Sequence, residues 1–425
     1  MRIMQLAHQY LPEYVGGVEF YTQWISRALQ QRGHEVAIFY RLSAEGEGLR
    51  SRVEEGVRVW AAWSGMLTPV RRFWATFGDA ALLRTFAQVL DETQPDVIHV
   101  EHLMGLPAAL ATLAQQRGIP FVITLWDFWW VCANAQLLTN DSQEICDGPR
   151  AYLNCARCAI SRIERPGLWP ALPALALPLA WRNRLLRQVM AAADRLIAPT
   201  PFVQNWYAEH GAPADTLVLR EPALEVSAPS EARQKERQPS PPTGGSEGGG
   251  AGAPLRFAYI GGLSWQKGLH VLLEAFSGVE GAAELWLAGD ETFDPAYVSQ
   301  LRALASPEVR FLGRLSRAQV WEALAQVDVV VVPTMWYETF SFIVSEAFIA
   351  GAPVIASRLG PVADRVRNGV DGLLVAPGDV RAWRAALQRL IDDRALLAEL
   401  RGNVQAPLSL NMHVNQLEEL YAELI

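Results

Sequence analysis

Two glutamates separated by seven residues, Glu338 and Glu346, are the residues whose types and spacing point most directly to chemistry. The apolar, β-branched run at residues 327–332 predicts a buried parallel strand, and residues 341–350 predict a helix. Glu338 would then lie in the turn beyond the carboxyl end of a strand, where open α/β sheets bind ligands, and Glu346 one to two turns into the helix. Backbone N–H groups at that helix start suit a phosphate or a sugar hydroxyl. Taken alone, the pair is also compatible with two solvated carboxylates that flank a helix.

A lysine and two glycines elsewhere in the chain are typical of phosphate-binding turns. Lys267 follows the first strand-like run of the second half, in a loop that leads into a helix, so its ammonium group suits a diphosphate. A lysine before a glycine, here Gly268, is equally typical of a solvated helix cap. Gly16 and Gly17 precede a predicted helix that runs to about Gln31, and without side chains they let the backbone approach a ligand closely. An ordinary tight turn has the same composition.

Further short motifs accompany these residues: Glu-Ala-x-x-x-Gly-x-Pro-Val from Glu346 to Val354, Gly360, Asn-Gly-Val-Asp-Gly-Leu-Leu-Val at 368–375, Gly261 with Lys267 and Gly268, Gly16-Gly17-Val18-Glu19, and Asp127-Phe128-Trp129. Together they resemble the retaining glycosyltransferases of family 4, which have the GT-B architecture. The resemblance spans nearly the whole chain and is silent about the substrate. It implies an α/β fold of two Rossmann-like, doubly wound domains that face a central cleft.

Composition and the alternation of elements agree with two large domains. The chain has 425 residues, half of them hydrophobic, which is beyond the size at which one core usually divides. Its formal charge of −8 argues against nucleic acid as a partner. Strand-like runs alternate with helical patterns, as in parallel sheets. The predicted strands are residues 2–7, 35–40, 57–61, 96–100, 121–125, 195–199, 256–260, 284–288, 309–312, 327–332, 354–356 and 372–375.

The predicted domain boundaries follow from a change in composition. Residues 1–226 form an N-terminal, acceptor-binding domain, and residues 227–254 are a Pro, Gly and Ser-rich insertion that we expect to be disordered. Residues 255–408 form the C-terminal, donor-binding domain, and by the resemblance the helix at 409–425 crosses back to the first domain. Because the chain shows neither a signal peptide nor an uninterrupted apolar run of about 18 residues, we expect a cytoplasmic protein, with peripheral contact at the inner face of the membrane as a further option.

The resemblance assigns roles to the donor-site residues. Glu338 and Lys267 are the expected catalytic residues, because Glu338 would hydrogen-bond the transferred sugar near its anomeric carbon and Lys267 would bind the donor diphosphate. Glu346 would accept hydrogen bonds from the ribose hydroxyls. Further donor contacts are expected from Gly16 and Gly17 of the opposing domain, from Gly313 beside the base, and from the turn of Thr339, Phe340, Ser341 and Phe342.

Two departures from the family pattern bear on this site. Gly262 stands where the family usually has an arginine, so either Lys267 neutralises the phosphates alone or a residue such as Arg314 helps. Trp126 stands where similar members have a histidine that lies against the sugar. An indole cannot take a proton, but it can stack on a sugar face or donate one hydrogen bond. We therefore predict an active enzyme in which Trp126 shapes sugar choice.

The acceptor side of the site is assigned to His99, Trp126 and Asp127, and for His99 a structural role is the alternative. The function that follows is retaining transfer of a sugar from a UDP- or GDP-sugar to a glycan or lipid-linked acceptor, in cell-surface polysaccharide or glycolipid biosynthesis. No metal or other cofactor is expected in catalysis, since no Asp-x-Asp pair follows a strand. The alternatives are a catalytically silent donor-binding partner of another transferase and a nucleotide-sugar 2-epimerase.

All four cysteines of the chain, Cys132, Cys146, Cys155 and Cys158, fall within one short stretch. The last two have the two-residue gap of zinc knuckles, and a reducing cytoplasm disfavours disulfides. The spacing of the first two is irregular. A structural zinc site and free thiols are therefore both open.

An apolar segment at residues 168–181 contains three prolines after Leu168 and lies between arginines. The prolines argue against one continuous amphipathic helix. The segment is compatible with contact to a membrane surface beside a lipid-linked acceptor, or with a hydrophobic lid packed on the first domain.

Overall fold

The computed structural model describes residues 1–226 and 254–425, the side chain of Pro166 excepted. The predicted insertion at 227–254 lies, except for its last residue, outside the described residues. The chain divides into two compact α/β units, which are Met1–Leu224 with Leu408–Ile425 and Glu225–Pro407.

The first unit contains an eight-stranded sheet in the order β3-β4-β2-β1-β5-β6-β7-β8. Every neighbouring pair is parallel except β3 and β4. The strands are β1 (Arg2–Ala7), β2 (Glu35–Arg41), β3 (Glu47–Glu54), β4 (Val57–Ser64), β5 (Val97–Val100), β6 (Phe121–Thr124), β7 (Arg195–Ala198) and β8 (Leu217–Leu219).

The helices of this unit follow the strands as crossover elements and include the last helix of the chain, which packs against the first one. They are α1 (Gly17–Gln31), α2 (Pro69–Ala75), α3 (Ala80–Thr93), α4 (Ala109–Gln116), α5 (Leu153–Arg162), α6 (Leu172–Ala192), α7 (Pro201–Glu209) and α15 (Leu410–Ala422).

The second unit contains an all-parallel, six-stranded sheet in the order β11-β10-β9-β12-β13-β14. Its strands are β9 (Leu255–Ile260), β10 (Ala283–Ala288), β11 (Val309–Gly313), β12 (Val329–Val332), β13 (Val354–Ser357) and β14 (Gly372–Val375). Its helices are α8 (Leu269–Phe276), α9 (Pro295–Leu304), α10 (Arg317–Leu324), α11 (Phe342–Ile349), α12 (Gly360–Arg365), α13 (Val380–Asp392) and α14 (Arg394–Gly402). Phe257 of β9, Leu272 of α8 and Trp383 of α13 belong to one buried core.

All twelve predicted strands are present, and each begins within two residues of its predicted start. Two strands were not predicted. β3 is a charged, largely exposed edge strand, which lacks the apolar run of a buried strand. β8 has only three residues.

The strand order creates one switch point in each sheet. β1 lies between β2 and β5, and β9 lies between β10 and β12. Connections leave these strands toward opposite sides, so the loops that follow them at the carboxyl edge flank a crevice where α/β sheets bind ligands. The loops after β9 and β12 carry Lys267 and Glu338.

The expectation that prolines interrupt the apolar segment is wrong for most of its length. A short 3₁₀ helix (Pro166–Ala171) leads into α6, which continues through Pro178 to Ala192. Pro173 lies in the first turn of α6, where the N–H group it lacks would have no partner. Within the described parts of the chain, none of the helices has both the length and the apolar character needed to cross a membrane.

Candidate active site

An ion pair between Lys267 and Glu338 occupies the switch point of the second unit. Lys267 Nζ lies 3.0 Å from Glu338 Oε1, and both side chains are largely buried. The ammonium group also lies over the ring of Trp336, 5.4 Å from its centroid. Gly268 makes this approach feasible, because its φ is +71° and a Cβ atom there would lie 1.9 Å from the carbonyl oxygen of Pro333, just after β12.

Lys267 determines the charge state of Glu338. Burial raises the pKa of Glu338, but the charge of Lys267 and hydrogen bonds from Lys267, Ser341 and Thr334 together outweigh burial and hold that pKa below its ordinary value. Glu338 is therefore a carboxylate at neutral pH. The two residues assigned separately to phosphate and sugar thus form one charged pair in the unliganded protein.

The second glutamate of the motif also has a cationic partner. Glu346, in α11, is 4% exposed, and its Oε1 accepts a hydrogen bond from Nη1 of Arg317 at the start of α10. Arg314, which was considered as a helper of Lys267, instead lies 3.5 Å from Asp290 and is 57% exposed. The arginine that joins the glutamate motif is therefore Arg317, three residues beyond the predicted one.

The turn between the two glutamates is held by an arginine from α12. Arg365 donates hydrogen bonds to the carbonyl oxygens of Phe340 (2.8 Å) and Ser341 (2.9 Å) and to Ser345 Oγ (2.7 Å). Its guanidinium group lies 3.7 Å from the centroid of the Phe340 ring. Ser341 has a left-handed backbone with φ of +61°, and α11 begins at the next residue, Phe342. Arg365 thus offsets the strain of a serine in a conformation that favours glycine.

The predicted glycines lie at ends of elements. A Cβ atom at Gly262 would meet nothing within 4 Å, so a side chain could begin there without a clash. Gly313, the last residue of β11, has φ of +67°. In the first unit, Gly16 precedes α1 and Gly17 is its first residue. A side chain at Gly16 would come within 2.6 Å of Glu19 Oε2.

A histidine–aspartate pair lies at the switch point of the first unit. His102, after β5, accepts the N–H of Met104 at Nδ1 (2.9 Å), so Nε2 donates to Asp127 Oδ2 (3.0 Å). The ring of His8, after β1, lies 4.5 Å from the ring of His102. Asp127 therefore belongs to a polar cluster with His102, whose ring in turn contacts His8. His8 was not predicted, and its position directly after β1 was the signal that could have found it.

Comparison with known proteins identifies the family. Residues 254–393 match the family described as glycosyl transferases group 1, and residues 16–222 match the glycosyl transferase 4-like domain. The chain is a family 4 glycosyltransferase. It therefore is an enzyme with the GT-B fold of two Rossmann-like domains.

Named relatives cover most of the chain. A glycogen synthase of Mycobacterium tuberculosis (strain ATCC 25618 / H37Rv) is 25% identical over 420 residues, 93% of this chain and 87% of that protein. A D-inositol 3-phosphate glycosyltransferase of Xylanimonas cellulosilytica is 26% identical over 414 residues, 92% of this chain and 87% of that protein.

Solved structures share the fold. HepE of Anabaena, crystallised with UDP and glucose, has a TM-score of 0.67 at 19% identity, with 99% of each chain covered. Sucrose-phosphate synthase of Thermosynechococcus elongatus has a TM-score of 0.70 at 18% identity, with 100% of this chain and 99% of that chain covered.

Trp126 of the glycosyltransferase is bonded inside the first unit. The indole is 6% exposed, its Nε1–H donates to Glu101 Oε2 at 2.6 Å, and its ring meets Tyr21 edge-on at 4.6 Å. The hydrogen bond that we expected Trp126 to offer a sugar is therefore made to a buried carboxyl group. Glu101, the residue directly after β5, was not predicted.

His99 of the glycosyltransferase has a structural position, which corrects its assignment to an acceptor pocket. It is fully buried, with Nδ1 2.6 Å from the hydroxyl of Tyr421 in α15 and Nε2 2.7 Å from Thr124 Oγ1 in β6. Burial and the charge of His413 lower the pKa of His99 to about 3, so the ring is neutral. His99 thus joins α15 to the sheet.

The four cysteines of the glycosyltransferase form no disulfide bonds. Burial and its three neighbours, Cys132, Cys146 and Cys158, raise the pKa of Cys155 to about 12. Among the residues that the structure describes, no group of three or more His, Cys, Asp or Glu side chains is arranged to hold a metal ion. Cys158 Sγ instead accepts a hydrogen bond from Asn140 Nδ2 at 3.1 Å. The four thiols are neighbours, and the structural zinc site stays a prediction.

Proposed function

We propose that this glycosyltransferase transfers a sugar from a nucleoside diphosphate donor, UDP- or GDP-linked, to a hydroxyl of a glycan or lipid-linked acceptor, with retention of configuration and without a catalytic metal. The observation that carries the proposal is the Lys267–Glu338 pair at the switch point of the second unit. A solved neighbour, HepE of Anabaena, was crystallised with UDP-glucose, which supports a donor of this class.

The pair suits a reaction in which charge moves to the leaving group. As the bond from the anomeric carbon to the diphosphate oxygen breaks, negative charge grows on the nucleoside diphosphate and positive charge on the sugar. A bound diphosphate would replace Glu338 as the partner of the Lys267 ammonium group. Glu338 would then accept a hydrogen bond from the sugar. The acceptor oxygen forms the new bond to the anomeric carbon on the face that the leaving group departs from. Its proton passes to an oxygen of the departing phosphate.

The charges of the site favour metal-independent chemistry. Both motif glutamates already have cationic partners, Lys267 and Arg317. The start of α11 adds its backbone dipole at the same turn. Positive charge for a diphosphate is therefore available from this chain's own groups, and we propose that they act in place of a divalent ion.

A donor panel tests the proposal. UDP- and GDP-sugars are incubated with the enzyme and a mixture of glycan and lipid-linked acceptors, with EDTA in a parallel series, and released nucleoside diphosphate is measured. We expect release with one base preferred, unaffected by EDTA and strongly reduced in Glu338→Ala, and a product whose anomeric configuration by NMR matches the donor. Nucleotide binding without turnover would support a silent partner, and conversion of the donor sugar without transfer would support an epimerase.

A further inference from the structure

An apolar, aromatic surface of the first unit is exposed to solvent. Trp74 of α2 and Trp181 of α6 are 50% and 58% exposed, and Leu177, one turn before Trp181, is 71% exposed. Phe77 joins the two helices, because its ring lies 5.4 Å from the ring of Trp74 and 4.4 Å from that of Trp181. We call Val70, Trp74, Phe77, Leu177 and Trp181 the aromatic patch.

The residues that the structure describes do not cover the outer side of α6. Ala176 and Leu179 on its inner side pack with Ala156 of α5, beside Phe73. The outer stripe of a surface helix is normally polar, yet residues 172–180 contain no charged or hydrogen-bonding side chain on either side. The inner side of the segment therefore packs on the first unit, as expected for a hydrophobic lid. Its outer side remains an apolar surface.

The helices that carry or adjoin the patch also carry exposed arginines, in contrast to the acidic chain as a whole. The exposed arginines include Arg71 of α2, Arg162 of α5, and Arg184 and Arg187 of α6, whereas Arg182 is buried. The chain as a whole carries a formal charge of −8. Arg72 of α2 lies near enough to Arg162 of α5 that burial and the charge of Arg162 lower the pKa of Arg72. Arg184 is exposed one turn beyond Trp181.

We propose that the aromatic patch and its arginines dock the first unit on an anionic phospholipid surface. Tryptophan prefers the boundary between headgroups and acyl chains, and arginine binds phosphate groups. A helix with tryptophan and leucine on its outer stripe and arginines in its next turns fits a position in the plane of that boundary. This surface adds a partner to the proposed function, a membrane that would present a lipid-linked acceptor, and it is testable without turnover.

Co-sedimentation with vesicles is the test. The full chain is mixed with vesicles of phosphatidylcholine alone or with one-third phosphatidylglycerol, at low and high salt. We expect at least tenfold stronger binding to the anionic vesicles, weakened by salt. The affinity of the double variant Trp74→Ser/Trp181→Ser for the anionic vesicles should be at least tenfold lower than that of the wild type. Phe293→Ser is the matched control, because Phe293 is a 78% exposed aromatic residue of the second unit, and it should bind like wild type.

Two further measurements keep the result unambiguous. Thermal unfolding and donor hydrolysis without acceptor should be unchanged in the double variant, which separates loss of docking from misfolding and from failure of the donor site. Equal binding by the double variant, or no binding by the wild type, would overturn the proposal. A wild-type dimer that the double variant converts to a monomer, with no vesicle binding by either, would assign the patch to self-association instead.

Discussion

Glu101 of the first unit and Glu338 of the second occupy comparable places, yet at neutral pH the carboxyl group of Glu101 is protonated and that of Glu338 is ionised. Each follows a strand that neighbours the first strand of its sheet at the switch point, β5 beside β1 and β12 beside β9. Burial raises the pKa of Glu101 to about 8, against one opposing hydrogen bond from Trp126. Lys267 holds the pKa of Glu338 below its ordinary value. The charge of Lys267 beside Glu338 is the main source of the difference between the two pKa values.

The comparison shows that the two switch points are built for different purposes. In the first unit, Glu101, His99 and Trp126 form a buried, neutral network that joins β5, β6 and α15. In the second unit, both motif glutamates form ion pairs with cations, beside a turn whose conformation is fixed by Arg365. A charged site suits a charged ligand such as a diphosphate, and a neutral network suits a rigid support. Four changes would break or sharpen this contrast.

The largest effect is expected at Glu338. Glu338→Ala should raise the activation free energy of turnover by about 3–4 kcal/mol, and so lower kcat, while nucleotide affinity stays close to wild type. Glu346→Ala should mainly weaken nucleotide binding. Steady-state kinetics and nucleotide titration separate the two. Glu284→Gln is the matched control, since Glu284 is 15% exposed and paired with Arg310 but lies at the start of β10. Equal, small effects of both motif variants would contradict the assignment.

Lys267→Ala should cost about 2–4 kcal/mol in kcat/KM, because a desolvated phosphate contact is lost and Glu338 loses the cation that keeps it charged. Adding Gly262→Arg should recover part of the loss, since it returns a cation near the site and a Cβ atom at Gly262 would meet nothing within 4 Å. Both effects are measured as kcat/KM for the preferred donor. A kinetically silent Lys267→Ala would place the phosphate site elsewhere.

Glu101→Gln should change the pH dependence of stability. Unfolded Glu101 releases its proton near pH 4.5, whereas folded Glu101 keeps it until about pH 8, so stability falls as pH rises through this window. The amide cannot ionise, and the variant should gain about 2 kcal/mol relative to wild type between pH 5 and pH 6.5. Urea unfolding at several pH values measures this. A parallel pH profile for both proteins would show that Glu101 is ionised in the fold.

Arg365→Lys is expected to have the smallest effect. A lysine keeps the charge but cannot bridge the carbonyl groups of Phe340 and Ser341 at once, so the turn should loosen. The donor KM should rise by the equivalent of about 1 kcal/mol of binding free energy. Arg358→Lys, at an exposed arginine bonded to one carbonyl, is the control. If the two variants have the same KM, the bonds from Arg365 do not order the donor turn.

The strands and the meeting of Lys267 with Glu338 could be predicted because both follow from local patterns. Apolar runs indicate parallel strands, and loops after neighbouring strands meet at the carboxyl edge. Arg317 and Arg365 could not be predicted, because each comes from a helix with no motif of its own and reaches its partner only through packing. The role of Trp126 depended on Glu101 in the neighbouring strand. His99 and His102 are three residues apart and both are buried, and only the position of α15 shows that Tyr421 is a partner of His99.

The central claim is that Lys267, paired with Glu338, binds the diphosphate of the donor. The most direct test is calorimetric titration of the wild type and Lys267→Ala with the nucleoside diphosphate and the nucleoside monophosphate of the preferred base. The wild type should bind the diphosphate at least about tenfold more tightly than the monophosphate, since a charge-assisted contact is worth about 1.5–3 kcal/mol. Lys267→Ala should lose most of that preference and keep its affinity for the monophosphate. A variant that keeps the full preference for the diphosphate would contradict the claim.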